Sequence, residues 1–167
     1  MNDMQHQSDF IVKLIVDAWL TQVSRVDKLL EEMNDAQLHQ EIAPGKNTGV
    51  YLVGHLAAIH DAILPLLNLG QKLHPELEEI FVKNPDKSGL QKPPVKLIRH
   101  YWKEINDALA SHFQKMSTDD WLQRHEAISA ADFINQPHRN KLNVLLNRTN
   151  HLSNHFGQLL LLKKKED

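Results

Sequence analysis

The chain has 167 residues, of which 41% are hydrophobic and 24% charged, and this composition is typical of one globular domain with a core of its own. Its formal charge of −2 contains no large basic excess, so nucleic acid is not an expected partner. Cysteine is absent, which excludes disulfides, a thiolate nucleophile and thiolate metal ligands.

The N-terminal residues show neither the basic start nor the apolar stretch of a secretory signal. No uninterrupted apolar run approaches the length of a membrane span. We therefore expect a cytoplasmic protein that does not enter a membrane.

Hydrophobic residues recur at helical spacing in four segments, and no alternating pattern indicates a strand. The first predicted helix begins near Ser8 or Asp9, either of which can cap it, and continues to Met33. The second is capped by Asn47 or Thr48.

The second predicted helix extends towards Gly70, and Pro65 should kink it or end it locally. The following segment, residues 71–94, contains five prolines and glycines and mixed charge, which favours a connection. At most one short helix, near residues 76–82, is expected within it.

The third predicted helix covers residues 95–116, and a short helical turn is expected to start at Ser117. The segment from there to Arg139 is expected to be irregular. The fourth predicted helix covers residues 141–163, with lysines at its C-terminal end, where the helix dipole favours positive charge.

Four amphipathic helices of roughly 20 residues bury their apolar stripes most simply against one another. The expected fold is therefore an all-α four-helix bundle, in one domain over residues 1–167, with long connections between helices 2 and 3 and between helices 3 and 4. Trp19, Trp102 and Trp121 are scattered over separate segments, so they are expected in the core or in a pocket wall.

Two histidines stand four residues apart in the last predicted helix. His151 and His155 lie on one helical face, so both imidazoles can reach a common point. The same sector carries four further polar side chains, Asn147, Arg148, Asn154 and Gln158. The spacing suggests a metal site, whereas an isolated pair of this kind is more often a surface or hydrogen-bonded pair.

His55 lies in the second predicted helix on the face that should look inward, where a lone histidine is more often a satisfied core residue. His60 is turned about 140° from His55 in a regular helix, so we exclude it as a ligand of the same ion. A position at the solvent, at an interface or at a pocket rim is expected for His60.

Three other side chains are candidates for the surroundings of the site. The Tyr51 hydroxyl can reach the pocket, although a core tyrosine is the alternative. Asn147 and Gln158 can orient metal ligands or a bound water, with ordinary hydrogen bonds between helices as the competing interpretation.

Two segments contain the three histidines: residues 47–57, NTGVYLVGHLA, and residues 147–159, NRTNHLSNHFGQL. Both segments resemble the DinB-like superfamily of metal-binding four-helix bundles. The resemblance extends over nearly the whole chain. It implies that His55, His151 and His155 bind one divalent metal ion per chain, and it leaves a proton-transfer role open for His60, because some DinB-like enzymes carry a second histidine there.

Three neutral imidazoles suit zinc or nickel best in this context, with iron, copper or manganese as alternatives. Three protein ligands also leave a coordination position for water or substrate, as catalytic sites do. The expected cofactor is therefore one divalent metal with an open position.

The relatives include thiol-dependent transferases and isomerases that use low-molecular-weight thiols. The resemblance therefore implies a metal-dependent enzyme that acts on a small molecule, of transferase or hydrolase type, in which the metal activates a thiol or water. The polar stripe offers no carboxylate as a general base. A noncatalytic metal- or small-ligand-binding stress-response protein and a metal-free structural bundle are the alternatives.

The expected partners are a small-molecule substrate or a low-molecular-weight thiol. A homodimer is also expected, because Leu146, Gly157 and Leu161 share one side of the last helix with Asn150 between them.

Overall fold

The computed structural model describes residues 2–163, and within that range the chain forms helices and no β-strand, as the sequence predicts. The helices are α1 (Asn2–Glu32), α2 (Asp35–Leu38), α3 (Gly49–Asp61), α4 (Ile63–Leu66), α5 (Leu77–Phe81), α6 (Val95–Phe113), α7 (Thr118–Leu122), α8 (Ala130–Asn135), α9 (Lys141–Leu159) and a terminal 3-10 turn (Leu160–Leu162).

Four of these helices are long, and they form a closed ring of contacts. Helix α1 packs against α6 and α9 (Lys141–Leu159), and α3 packs against the same two helices from the other side. An ion pair of 2.6 Å between Glu32 and Lys163 joins the C-terminal ends of α1 and α9, so these two helices run parallel. The start of α3 contacts that same end at Leu162, so α3 runs in the opposite direction.

The first helix begins earlier than the sequence pattern predicts. It starts at Asn2, and Ser8 and Asp9 lie inside it instead of capping it. Asp9 accepts hydrogen bonds from the Gln5 amide (3.1 Å) and from the Thr118 hydroxyl. The Asp9 carboxylate therefore bonds to side chains and does not cap the backbone N–H groups at a helix start.

The second predicted helix is divided in two. Thr48 caps α3, and its hydroxyl accepts a hydrogen bond from the backbone N–H of Tyr51 (3.3 Å). The break falls at Ala62, between α3 and α4. Pro65 explains it, because proline has no N–H to donate to the carbonyl of Asp61 four residues earlier.

The connection from α4 to α6, residues 67–94, runs back along α3, and we call it the crossover. It is needed because α6, like α3, begins at the end of the molecule where α1 finishes: the Arg99 guanidinium donates to the carbonyls of Leu30 and Met33 there. The crossover pairs with α3 in reverse order: Leu73 with Asp61, Phe81 with Gly54, Asn84 with Tyr51, and Asp86 with Thr48. Its single helix, α5, agrees with the short helix predicted near residues 76–82.

The core surrounds α3, most of whose residues are buried. The three tryptophans lie in this core, as predicted, and each is at most 1% exposed. The Trp19 ring packs edge-on against Phe113, with centroids 4.9 Å apart, and Phe113 also contacts Trp121. Aromatic side chains thus fill the part of the core between α1, α6 and α7.

The prediction that His60 lies at the solvent, an interface or a pocket rim is wrong. Its side chain is 0% exposed and lies between the rings of Trp19 and Trp102, with centroids 5.8 and 5.1 Å away. Nδ1 of His60 is 2.6 Å from the amide oxygen of Asn106. Helical spacing could not reveal this, because the other helices and the crossover cover α3 on nearly every side.

Burial lowers the pKa of His60 to about 4, and the nearby charges of His151 and Arg148 act in the same direction. In the unfolded chain the pKa is about 6.5, so between these values the unfolded state binds a proton that the folded state does not. Stability is therefore expected to fall as pH drops from about 6.5 towards 4. His60 accounts for about 3 kcal/mol of this fall in the free energy of unfolding.

We expect His60→Gln to lose less stability than wild type over that pH window, because glutamine does not titrate there and can still bond to Asn106. Urea unfolding of the metal-free proteins near neutral pH and near pH 4.5 measures the difference. Equal pH dependence in the two proteins would contradict a buried neutral His60.

One stretch, Gly49–Leu66, is apolar enough on average to cross a membrane, with a mean hydropathy of 1.4 over 18 residues. Polar residues interrupt this stretch, so it contains no uninterrupted apolar run of that length. In the fold, 72% of this stretch is buried against the rest of the protein. A mostly buried core helix has this same length and composition.

Candidate metal centre

Three histidine side chains converge between α3 and α9. Nε2 of His151 is 3.2 Å from Nε2 of His55 and 3.1 Å from Nε2 of His155. Around a tetrahedral zinc ion with Zn–N distances of about 2.0–2.1 Å, neighbouring ligand nitrogens are about 3.3 Å apart. The observed separations are therefore close to those that three imidazole ligands of one ion require.

Two of the three rings are held in the tautomer that a metal ligand needs. Nδ1 of His55 donates to the carbonyl oxygen of Phe81 at 2.8 Å. Nδ1 of His155 donates to the amide oxygen of Gln158, also at 2.8 Å. With the proton on Nδ1, each Nε2 presents its lone pair to the common point.

The electrostatics of the site favour neutral rings. Burial lowers the pKa of His151 to about 4, and His155, His55 and Arg148 add to the effect. Burial also lowers the pKa of His55, more than its bond to Phe81 raises it. Neutral imidazoles are the form that binds metal.

A glycine makes the contact between the crossover and His55 possible. A Cβ added at Gly54 would lie 2.4 Å from the ring of Phe81, far inside van der Waals contact. Glycine at this position lets Phe81 approach α3 closely enough for its carbonyl to reach the neighbouring His55. The Gly-His pair of the sequence motif therefore has a steric reason.

The side chains predicted to surround the site differ in whether they contact the three histidines. Gln158 meets His155, as described above. Asn147 is exposed, and its amide donates to the Asn143 side chain (3.4 Å) and to none of the three histidines. The ring of Tyr51 lies nearly parallel to that of His55, with centroids 6.3 Å apart.

The Tyr51 hydroxyl does not point at the common point of the histidines. It donates to the carbonyl of Asn84 at 2.7 Å and so ties α3 to the crossover. His60 binds Asn106 in the core and is not part of the histidine cluster. Sequence reasoning missed Phe81, because a backbone carbonyl leaves no mark in the residue type; Gly54 was the only indirect signal.

We expect Gln158→Leu to weaken zinc binding by about 10- to 100-fold, the usual effect of removing a group that orients a metal-bound histidine. Asn147→Leu is the matched control on the same helix and should bind zinc like wild type. Competition with a chromophoric chelator measures both affinities. Equal affinities in the two variants would show that the bond from His155 to Gln158 does not support the site.

The histidine cluster combines residues far apart in the chain, and its potential ligand atoms all lie within 4.8 Å of one another. A family model described as the DinB superfamily matches residues 18–159, a range that includes all three histidines. Among curated proteins, none matches the chain at a significant level.

Proposed function

Because the chain belongs to the DinB superfamily, we propose that His55, His151 and His155 hold one divalent metal ion and that the protein is a metal-dependent enzyme. Its substrate would be a small molecule, in a reaction of the thiol-dependent transferase or hydrolase type. The observation that carries this proposal is the convergence of three Nε2 atoms at 3.1 and 3.2 Å. In this proposal the ring of long helices is the four-helix bundle of the family.

Zinc or nickel is the proposed metal, with iron and manganese as alternatives, since the donor set consists of imidazole nitrogens alone. Bound there, such an ion supplies a Lewis acid that lowers the pKa of a thiol or of water. Three protein ligands leave a position open for that molecule.

The protein's own residues would prepare the site. The Phe81 carbonyl and the Gln158 amide keep the protons of two histidines on Nδ1, so that metal binding requires no change of tautomer at either ring. Burial keeps His55 and His151 unprotonated at neutral pH. These contacts fix the ligands before a substrate arrives.

A noncatalytic metal- or ligand-binding protein is the second candidate, and one observation favours it. Among the described residues, the histidine cluster includes no Asp or Glu that could act as a general base. A thiol acidified by a metal needs no such base, whereas hydrolysis of a poor electrophile gains from one. The structure therefore supports thiol transfer better than hydrolysis within the enzymatic proposal.

The test begins with tag-free protein that has been stripped of metal and titrated with zinc, nickel, iron(II) and manganese(II). We expect saturation at about one ion per chain. The loaded protein is then assayed for consumption of a low-molecular-weight thiol with an aryl halide electrophile, and for hydrolysis of small esters and amides. Metal binding without turnover would favour the noncatalytic candidate, and failure to bind any of the ions would contradict the site.

The remaining proposals concern location and partners. We propose a cytoplasmic protein that binds no nucleic acid, in line with its net charge of −2. A homodimer would use the outer side of α9 and of the 3-10 turn that follows it, where Leu146 and Leu161 are 43% and 65% exposed and Gly157 is exposed between them.

A further inference from the structure

Arg148 lies on α9 three residues before His151, which places the two side chains on adjacent positions of the helix. Its side chain is half-buried, and its Nε is fully buried without a hydrogen-bond partner. No ion pair joins it to a carboxylate within residues 2–163, and burial alone lowers the pKa of its guanidinium.

This situation is costly, because a guanidinium stays charged at any ordinary pH and half-burial removes much of its water. Two other arginines of the chain have hydrogen-bond partners. Arg99 donates to two carbonyls at the end of α1, and Arg124 donates to the carbonyl of Ile128 at 3.0 Å. Arg148 differs from them in having a buried nitrogen that no protein group satisfies.

Arg148 is also close to the candidate metal centre. Its positive charge lowers the pKa of His55, His151 and His60. Apart from histidines, Arg148 is the cation with a marked effect on all three of these rings. The surroundings of the histidine cluster therefore hold one fixed positive charge with unused hydrogen-bond donors.

Building on the proposed metal site, we propose that Arg148 binds a carboxylate group of the substrate or thiol while the reacting atom lies at the metal. The planar guanidinium matches a carboxylate with two parallel hydrogen bonds. A carboxylate carries the single negative charge that one arginine balances, whereas a phosphate dianion would call for further cations. The proposed substrate class is thus a small thiol or electrophile with a carboxylate near its reactive group.

The first test uses cobalt(II)-loaded, tag-free protein and two probes, mercaptoacetate and 2-mercaptoethanol. Binding of either thiol is followed by its thiolate-to-cobalt absorption band. Wild type should bind mercaptoacetate more tightly than 2-mercaptoethanol. In Arg148→Gln the ratio of these two affinities should be about tenfold smaller, the effect of one charge-assisted hydrogen-bonding group. Arg25→Gln removes an exposed arginine of α1 and should behave like wild type.

The second test does not depend on metal. Acetate, compared with chloride at the same ionic strength, should raise the melting temperature of metal-free wild type and Arg25→Gln, but not of Arg148→Gln. No acetate-specific shift in wild type, or an equal shift in Arg148→Gln, would overturn the proposal.

The outcomes separate this inference from the proposed function. If neither thiol gives a thiolate-to-cobalt band with wild type, the metal site is contradicted. The acetate shift would still decide the role of Arg148. A normal band with an unchanged preference in Arg148→Gln would overturn the carboxylate site alone. Tighter binding of 2-mercaptoethyl phosphate than of mercaptoacetate would overturn the choice of carboxylate.

Discussion

His151→Ala is expected to reduce bound metal from about one ion per chain to background. His151 is the central histidine of the cluster, because its Nε2 lies within 3.2 Å of both other Nε2 atoms. Its removal leaves two imidazoles on different helices. Losing a group that only orients a metal ligand lowers affinity by up to roughly 100-fold, and losing one of three ligands should lower it further. Elemental mass spectrometry of tag-free protein after zinc loading and dialysis measures the bound metal.

His6→Ala is the matched control, since His6 is exposed on α1 and belongs to no histidine cluster in the described part of the chain. It should retain wild-type metal content. Circular dichroism of both variants establishes that the helices persist. Full metal content in a folded His151→Ala protein would contradict the three-histidine assignment.

Gly54→Ala is expected to destabilise the protein by about 1–3 kcal/mol, the range for forcing extra atoms into a packed core. The new methyl group would lie 2.4 Å from the Phe81 ring, so Phe81 must move. That movement also withdraws the carbonyl that holds Nδ1 of His55. Zinc affinity should therefore fall together with stability.

Gly157→Ala is the matched control, and its effect should have the opposite sign. Nothing lies within 4 Å of a Cβ at this position, which is exposed within α9. Replacing an unstrained helical glycine with alanine stabilises a helix by about 0.5–1 kcal/mol. Urea unfolding of the metal-free proteins gives both values. A neutral Gly54→Ala would show that α3 and the crossover separate easily.

The helical fold could be predicted from sequence because apolar residues recur at helical spacing in the long helices and some of these helices have clear end signals. Thr48 and Asn140, for example, each accept a hydrogen bond from a backbone N–H of the first turn that follows. The start of α1 could not be predicted, since its first turns are held by polar contacts outside any hydrophobic pattern. The break at Ala62 was expected in kind but lies earlier than Pro65 itself.

The histidine cluster could be predicted because spacing places two imidazoles on one face and the family resemblance adds the third. The contacts that orient the rings were only partly accessible. Gln158 follows His155 by one helical turn, whereas Phe81 is 26 residues from His55 and acts through its backbone. His60 was misplaced because periodicity on one helix does not record what covers its other faces.

The pairing of the crossover with α3 divides this connection into a part of fixed length and a part of free length. Phe81, Asn84 and Asp86 each meet a particular position of α3, so one residue inserted among them would shift the Phe81 carbonyl away from His55. Residues 87–91 are exposed, and Gly89 has no neighbour within 4 Å of an added Cβ. A peptide tag or a fluorescent reporter can therefore be inserted at residues 87–91 while the three histidines keep their arrangement.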